Sequence, residues 1–407
     1  MKKIDPKQTA TLLVTAALGL CAANSASAYE LHPFGTNSPA VDFHGFASQG
    51  FLYSSKYNYL ADNTTDGSFK FSEAGLNASI NPFPRTRITA QAFTFNVGDV
   101  GQYDVVLDYC LAEYTFSDKF GVRAGRIRRP AGIYNSIQDI DLARTSVLLP
   151  QGVYDARWRD FSSTIDGGEF FGSFSLGKGG SLAYEVYAGV INMSDNGGVA
   201  RNLQDGLPPA PIGSYDSINQ CQIYGSQLWW NTPVNGLRFG VSGGLIPDFG
   251  YKFAVTPPFG PGPIHTEYEI PFGQASAEYL WKAWTFQAEY YTYNVSGNQF
   301  ITGNIPITSS DTRTEAWYAS AAYRVNKWLE VGTYYTESYA NTKKSTDFTQ
   351  YQKDAALSLR FDLRDWWIFK VEGHYIHGTG LLQDSQHNPS QNDKGWFMLA
   401  VKTTVSF

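Results

Sequence analysis

Apolar and polar residues alternate one for one along stretch after stretch of this chain. The last stretch is the clearest. In Gly395–Phe407, one parity holds Phe397, Leu399, Val401, Thr403, Val405 and Phe407, and the other holds Trp396, Met398, Ala400, Lys402, Thr404 and Ser406. Successive side chains of a β-strand point to opposite faces, so a period of two predicts a strand with one apolar face. The pattern recurs in Ala74, Leu76, Ala78 and Ile80 against Glu73, Asn77 and Ser79, and in Ile88, Ala90 and Ala92 against Arg87, Thr89 and Gln91. Leu237, Phe239, Val241 and Leu245 oppose Arg238, Ser242 and Gly244, and Trp367, Phe369 and Val371 oppose Lys370, Glu372 and His374. Further strands are expected near Asp42–Tyr53, whose phase is ambiguous, and at Leu182–Ala188, Phe286–Tyr290, Val331–Tyr335 and Leu357–Phe361. A change of phase near Ala112 suggests a bulge.

The connections alternate as well. Short ones are expected at Asn81–Arg85, Ser117–Phe120, Gly177–Ser181, Asn231–Gly236, Trp281–Trp284, Val325–Trp328 and Leu363–Trp366. Between them lie longer polar segments: Ser54–Ser68, Val97–Gln102, an arginine-rich stretch, Ser194–Gln220, Asp248–Thr266, Ser296–Thr312, Ser338–Gln350 and Thr379–Lys394. Short turns at one end and long loops at the other are the rule for transmembrane antiparallel β-barrels, and the count gives about sixteen strands with both ends on the short-turn side. Trp281, Trp284, Trp328, Trp366 and Trp367 flank the strands, as amphipathic rings do at a lipid headgroup boundary. The fold class expected is all-β, a closed barrel in a bilayer.

Composition agrees. Aromatic residues make up 15% of the 407 and charged residues only 17%, below the ~25% usual in soluble domains. Mean hydropathy is nevertheless −0.28. A tube that is greasy outside and wet inside reconciles these values. The net charge of −6 does not suggest nucleic-acid binding.

Lys2, Lys3 and Lys7, the apolar run Thr9–Cys21 and Ala26-Ser27-Ala28 form a secretory signal, so residues 1–28 are expected to be removed and 29–407 to form the barrel. Leu20 is a poor residue before a lipidated cysteine, which argues against lipidation at Cys21. No later stretch approaches the ~18 consecutive apolar residues of a membrane helix. Cys110 and Cys221 are expected to be packing residues rather than a bridge.

The arginine-rich stretch, Gly125–Asp166, lacks strand pattern. It holds Arg126, Arg128, Arg129, Arg144, Arg157 and Arg159 together with Asp139, Asp141, Asp155 and Asp160. Structureless loops beyond ~15 residues are usually functional. The expectation is that residues 126–166 fold into the barrel mouth and narrow it. Arginine suits an anion path, since its permanent charge and planar fork match carboxylate and phosphate. The acids keep the net excess small, and some of these charges are expected to brace the loop against the wall. That wall carries Arg87, Arg123, Arg238, Arg360, Lys370 and Lys402 facing Asp108, Glu185, Glu289, Glu330 and Glu372.

Two resemblances bear on function. A strand ending in Phe407, with alternate apolar residues before it, resembles the C-terminal signal read by the outer-membrane barrel-assembly machinery. Gly125–Asn135 followed by Leu148–Tyr154 resembles the constriction loop of a widespread group of bacterial outer-membrane porins, distantly similar to the phosphate-selective porins O and P. The resemblance implies a third external loop that sets the bore, a homotrimer in a Gram-negative outer membrane, and passive diffusion of small hydrophilic solutes; the six arginines of the loop suggest a weak anion preference. The full ladder of arginine and lysine expected for phosphate selectivity is absent.

Other chemistry is poorly supported. Gly172–Lys178 matches the start of a phosphate-binding loop, but Gly179 stands where Ser or Thr is needed. His374 and His377 fall on opposite faces of a strand, so a shared metal is not expected, and His374 is expected to face lumenal water. No cofactor and no catalysis are expected. Two rival readings are a sleeve for a partner such as an electron-transfer cytochrome, and an outer-membrane hydrolase.

Overall fold

The computed structural model describes residues 29–32, 38–194, 197–208, 210–301, 303–382, 388 and 390–407. The signal segment 1–28 lies outside them. Sixteen antiparallel strands close into a barrel. They are β1 (Val41–Ser54), β2 (Phe71–Ile80), β3 (Thr86–Val97), β4 (Val106–Ser117), β5 (Phe120–Arg128), β6 (Thr164–Ser175), β7 (Ser181–Ile191) and β8 (Cys221–Asn231). After them come β9 (Leu237–Phe249), β10 (Gly262–Trp281), β11 (Trp284–Ile301), β12 (Ile305–Arg324), β13 (Leu329–Tyr339), β14 (Tyr351–Arg364), β15 (Trp367–Gly378) and β16 (Gly395–Ser406). Closure is made by β16 against β1, with Val401 opposite Phe51. It is completed by Phe407, whose N–H donates to the Gly45 carbonyl at 3.0 Å. Closing the sheet removes the unpaired edges that a bilayer cannot solvate.

The two parities separate as the alternation requires. On β16, Phe397 is 61% exposed while Trp396 is 0%. Leu76, Ile88, Phe170, Phe239, Val241, Phe286 and Leu357 are exposed on the outside in the same way. So broad an apolar exterior belongs in lipid. Trp281, Trp328 and Trp367 stand exposed at the short-turn end, where rings anchor a barrel at the interface.

The packed core therefore lies in the lumen. One cluster joins Ile127, Ile165, Ile191, Val199 and Ile223. A second joins Leu52, Tyr59 and Leu60 to Val147, Leu148 and Trp396.

Three expectations are corrected. Ser296–Thr312 is not a loop: β11 and β12 remain paired through Asn298 and Ser309 as far as Ile301 and Ile305. At ~3.3 Å per residue, the 20 residues of β12 reach about 65 Å, past an apolar band ~25 Å tall. Beyond that band both faces are wet, so the ladder continues without alternation. Asp248–Thr266 likewise carries a short strand, Tyr251–Val255, which pairs with Gly213–Ile218 of the preceding loop. The phase break in β4 lies opposite Gln91 and Ala92, beside Asp108, rather than near Ala112. Cys110 is exposed, Cys221 is buried, and both are free.

Candidate functional site: a loop pinned across the lumen

The third long loop, L3 (Arg129–Ser163), joins β5 to β6. It holds three short 3-10 turns (Asn135–Ile137, Asp141–Ala143, Ala156–Trp158) and one helical turn, α1 (Arg159–Ser162). A chain segment inside a barrel must have its backbone N–H and C=O groups paired. Here wall side chains supply many partners. Glu372 accepts from the N–H groups of Val147 and Leu148, each at 2.9 Å. Glu289 accepts from Ile133 N–H at 2.9 Å. Lys370 donates to the carbonyls of Asp141 (2.7 Å) and Ser146 (3.0 Å). Arg360 donates to Leu142 O at 2.7 Å and Gln227 to Gly132 O at 2.9 Å. Gly132 has φ +59, and a Cβ there would lie 2.2 Å from Gln274 Nε2 and 2.6 Å from Glu289 Oε1. Only glycine brings the loop this close to the wall.

Two ionic clusters complete the attachment. Asp108 of β4 and Asp139 of L3 share Arg128 and Arg159, with Arg159 Nη2 to Asp108 Oδ1 at 2.7 Å. The Arg159 guanidinium also lies 4.2 Å over the Phe93 ring. Asp141 is held by Lys402 (2.8 Å), by Arg144 (2.9 Å) and by the Thr404 hydroxyl (2.6 Å). Burial alone would raise both loop carboxyls. Arg159 and Arg128 beside Asp139, and Lys402, Lys370 and Arg144 around Asp141, instead hold them well below the ordinary carboxylate range.

The remaining sequence-derived residues fall as follows. Arg126 is not in the lumen. It pairs with Asp166 at 2.6 Å, and their neighbours Ile127 and Ile165 occupy the lumenal core, which puts the ion pair on the outer face. Arg157 chelates Asp155 at 2.7 and 3.0 Å. Asp160 packs on a helix of the fourth long loop, α2 (Gly198–Asp205), so closely that a Cβ on Gly197 would fall 1.9 Å from its Oδ2. Burial pushes the Asp160 carboxyl up to about 6. Arg123 is shared by Glu113, Glu169 and Glu185, and Arg238 pairs with Glu278. Arg87 is exposed on the lumenal parity of β3 near the short turns. Lys370, Glu372 and Arg360, read from sequence as open pore wall, are buried beneath L3 because they serve its backbone. His374 does not meet lumenal water: it is buried between Asp354 (3.0 Å) and Glu372 (3.1 Å).

Sequence reasoning missed the tyrosines. Glu289 also accepts from the hydroxyls of Tyr154 and Tyr318, from Ser276 Oγ at 2.6 Å and from Gln274 at 3.1 Å. Tyr134 donates to Gln287 at 2.6 Å and meets Tyr154 edge-on. The signal available was the run of polar residues on one parity of β10 and β11: Gln274, Ser276 and Glu278, with Gln287 and Glu289.

This knot lies between two cavities stacked along the barrel axis. The upper, about 340 Å³, reaches Tyr291, Tyr293 and Val295 of β11, Thr314 of β12 and Ser338 of β13. The lower, about 190 Å³, reaches Thr285 and Gln287 of β11, Ser320 and Arg324 of β12 and Glu330 of β13. On β11 and β12 the knot residues Glu289 and Tyr318 fall between these heights, and Gly152 of L3 packs against Ala316 and Ser338 at the floor of the upper cavity.

A sixteen-stranded transmembrane barrel with its third loop turned inward is the fold of outer-membrane porins. Solved structures agree at the level of fold. The chain is similar to the outer-membrane protein OmpT of Vibrio cholerae, with a TM-score of 0.57 and 12% identity over 92% of this chain and 99% of that one. It is similar to the anion-selective porin from Comamonas acidovorans (TM-score 0.55, 12% identity, 91% and 100% coverage). It is also similar to Salmonella typhi OmpF, solved with daunomycin (TM-score 0.56, 13% identity, 93% and 100% coverage). No family model and no curated protein matches the sequence.

Proposed function

We propose that the chain is an outer-membrane channel for passive diffusion of small hydrophilic solutes, with weak anion preference, whose bore is set by L3. The observation that carries this reading is the attachment of L3 to the wall from both of its arms, which leaves cavities above and below a single knot. A sleeve around a partner protein fits less well, because L3 already crosses the lumen. A hydrolase fits less well too: Ser358 donates to Glu372 at 2.5 Å rather than to His374. Assembly as a homotrimer belongs to the same proposal. The V. cholerae OmpT barrel is described in a trimer form. Recognition of the Phe407 strand by the assembly machinery is proposed on the C-terminal pattern alone. Planar-bilayer recording in a KCl gradient tests the reading. A reversal potential displaced toward that of chloride is expected. Displacement toward potassium overturns the anion preference, and absence of conductance overturns the channel.

A further inference from the structure

Of the six arginines in and beside L3, five hold a carboxylate: Arg126 with Asp166, Arg128 and Arg159 with Asp108 and Asp139, Arg144 with Asp141, and Arg157 with Asp155. Arg129 is different. It is 5% exposed, yet among the described residues its guanidinium has no ion pair or hydrogen bond, and its Nε is wholly enclosed. Its backbone is fixed, since the N–H donates to Ser163 O at 2.9 Å and the carbonyl accepts from Asn135 at 2.7 Å. The side chain reaches into the upper cavity, where it lies 5.4 Å over the Phe272 ring. An unpaired charge so enclosed is costly unless an anion completes it.

The rest of the cavity defines the anion. Phe272, Tyr291, Tyr293, Phe161 and Phe249 present rings to it, with Tyr291 and Tyr293 centred 5.6 Å apart. A cavity of about 340 Å³ is of the size that takes small organic ligands. A small, strongly hydrated ion would exchange its water shell for a single arginine among rings. An anion with a flat apolar body keeps one charge-assisted contact and buries the remainder. The adjacent Arg157 is already neutralised by Asp155, so one negative charge is matched, not two.

We infer that the upper cavity is a binding site for a monoanion with an aromatic body, an aromatic carboxylate, whose carboxylate pairs with Arg129 while its ring packs against Phe272, Tyr291 and Tyr293. This rests on the channel reading, and it names the class of solute that the entrance retains. Asn202 and Leu203 of the fourth long loop and Gly380–Leu382 of the last also line the cavity, so the site lies on the long-loop side of the knot.

The test is calorimetric titration of the full mature chain folded in detergent with sodium benzoate, sodium acetate, sodium phosphate and benzyl alcohol, alongside bilayer conductance in KCl. Benzoate is expected to bind at least about tenfold more tightly than the other three, and Arg129→Gln to weaken it by about tenfold or more, the scale of one charge-assisted contact. Phe272→Ala is expected to weaken benzoate severalfold while leaving acetate unchanged. The comparison of probes on the unaltered chain needs no variant to fold. Acetate or phosphate binding as tightly as benzoate, or an unchanged affinity in folded Arg129→Gln, overturns the site. Channels that conduct without preferring benzoate overturn the site and leave the channel standing. Benzoate binding by a chain that forms no channels does the reverse.

Discussion

Asp139 illustrates how single side chains hold this molecule together. Its carboxylate is buried and is the shared acid of Arg128 and Arg159, both of which are largely withdrawn from water. Asp139→Asn leaves two buried guanidinium groups competing for Asp108. Breaking a buried pair in this way costs ~3–5 kcal/mol. The expected result is release of L3, seen as new tryptic cuts at Arg144 and Arg157 that the native chain resists. Acidity separates the loop carboxylates. Asp139 and Asp141 have folded pKa values below the ordinary 3.8. The stability they contribute is complete above 3.8 and is lost only as pH falls through their depressed values. Protection of the Asp139–Arg144 arm of L3 from a protease active in acid is therefore expected to be no weaker at pH 4.5 than at pH 7. Asp160 has the opposite sign. Its folded value near 6 exceeds 3.8, so the folded state binds the proton first and its contribution grows as pH falls from 6 toward 3.8. Hydrogen exchange at Val199–Asp205, corrected for intrinsic rate, is expected to slow by roughly tenfold over that window; faster exchange would contradict it.

At the scale of elements, the strands were legible and the path of L3 was not. Period-two alternation reports which parity meets lipid, and it placed Phe397 outside and Lys402 inside correctly. Glu289 and Glu372 could be assigned to the lumen on the same ground, but their targets are loop N–H groups whose position depends on how L3 crosses the barrel. Alternation carries nothing about that crossing. Arg126 sits in a run of arginines that reads as one loop, although strand pairing opposite Asp166 continues to Arg128. The outer ends of β11 and β12 carry no alternation to read, because both faces are wet above the bilayer. The knot at Glu289 yields a prediction of its own. Glu289→Gln replaces one acceptor oxygen with a donor, facing the Tyr154 and Tyr318 hydroxyls and the Ile133 N–H. Leaving such groups unpaired costs ~1–3 kcal/mol. Larger and noisier single-channel currents are expected from the loosened loop, and currents identical to those of the native chain would show that the knot does not limit flow.

Over the whole molecule, the closed barrel solves the backbone problem of the bilayer, and wall side chains solve the same problem for the loop inside it. The lumen is thereby filled by a segment held through ion pairs and side-chain-to-backbone bonds rather than by regular secondary structure. Resistance to flow is expected to reside in that segment. The most direct measurement is single-channel conductance of the native chain beside a chain in which Ala131–Asp160 is replaced by a short Gly/Ser turn, both confirmed as heat-modifiable barrels. In the shortened chain conductance is expected to rise severalfold and discrimination between chloride and potassium to weaken. Equal conductance in the two chains would contradict this, because L3 would then lie aside from the path that ions take.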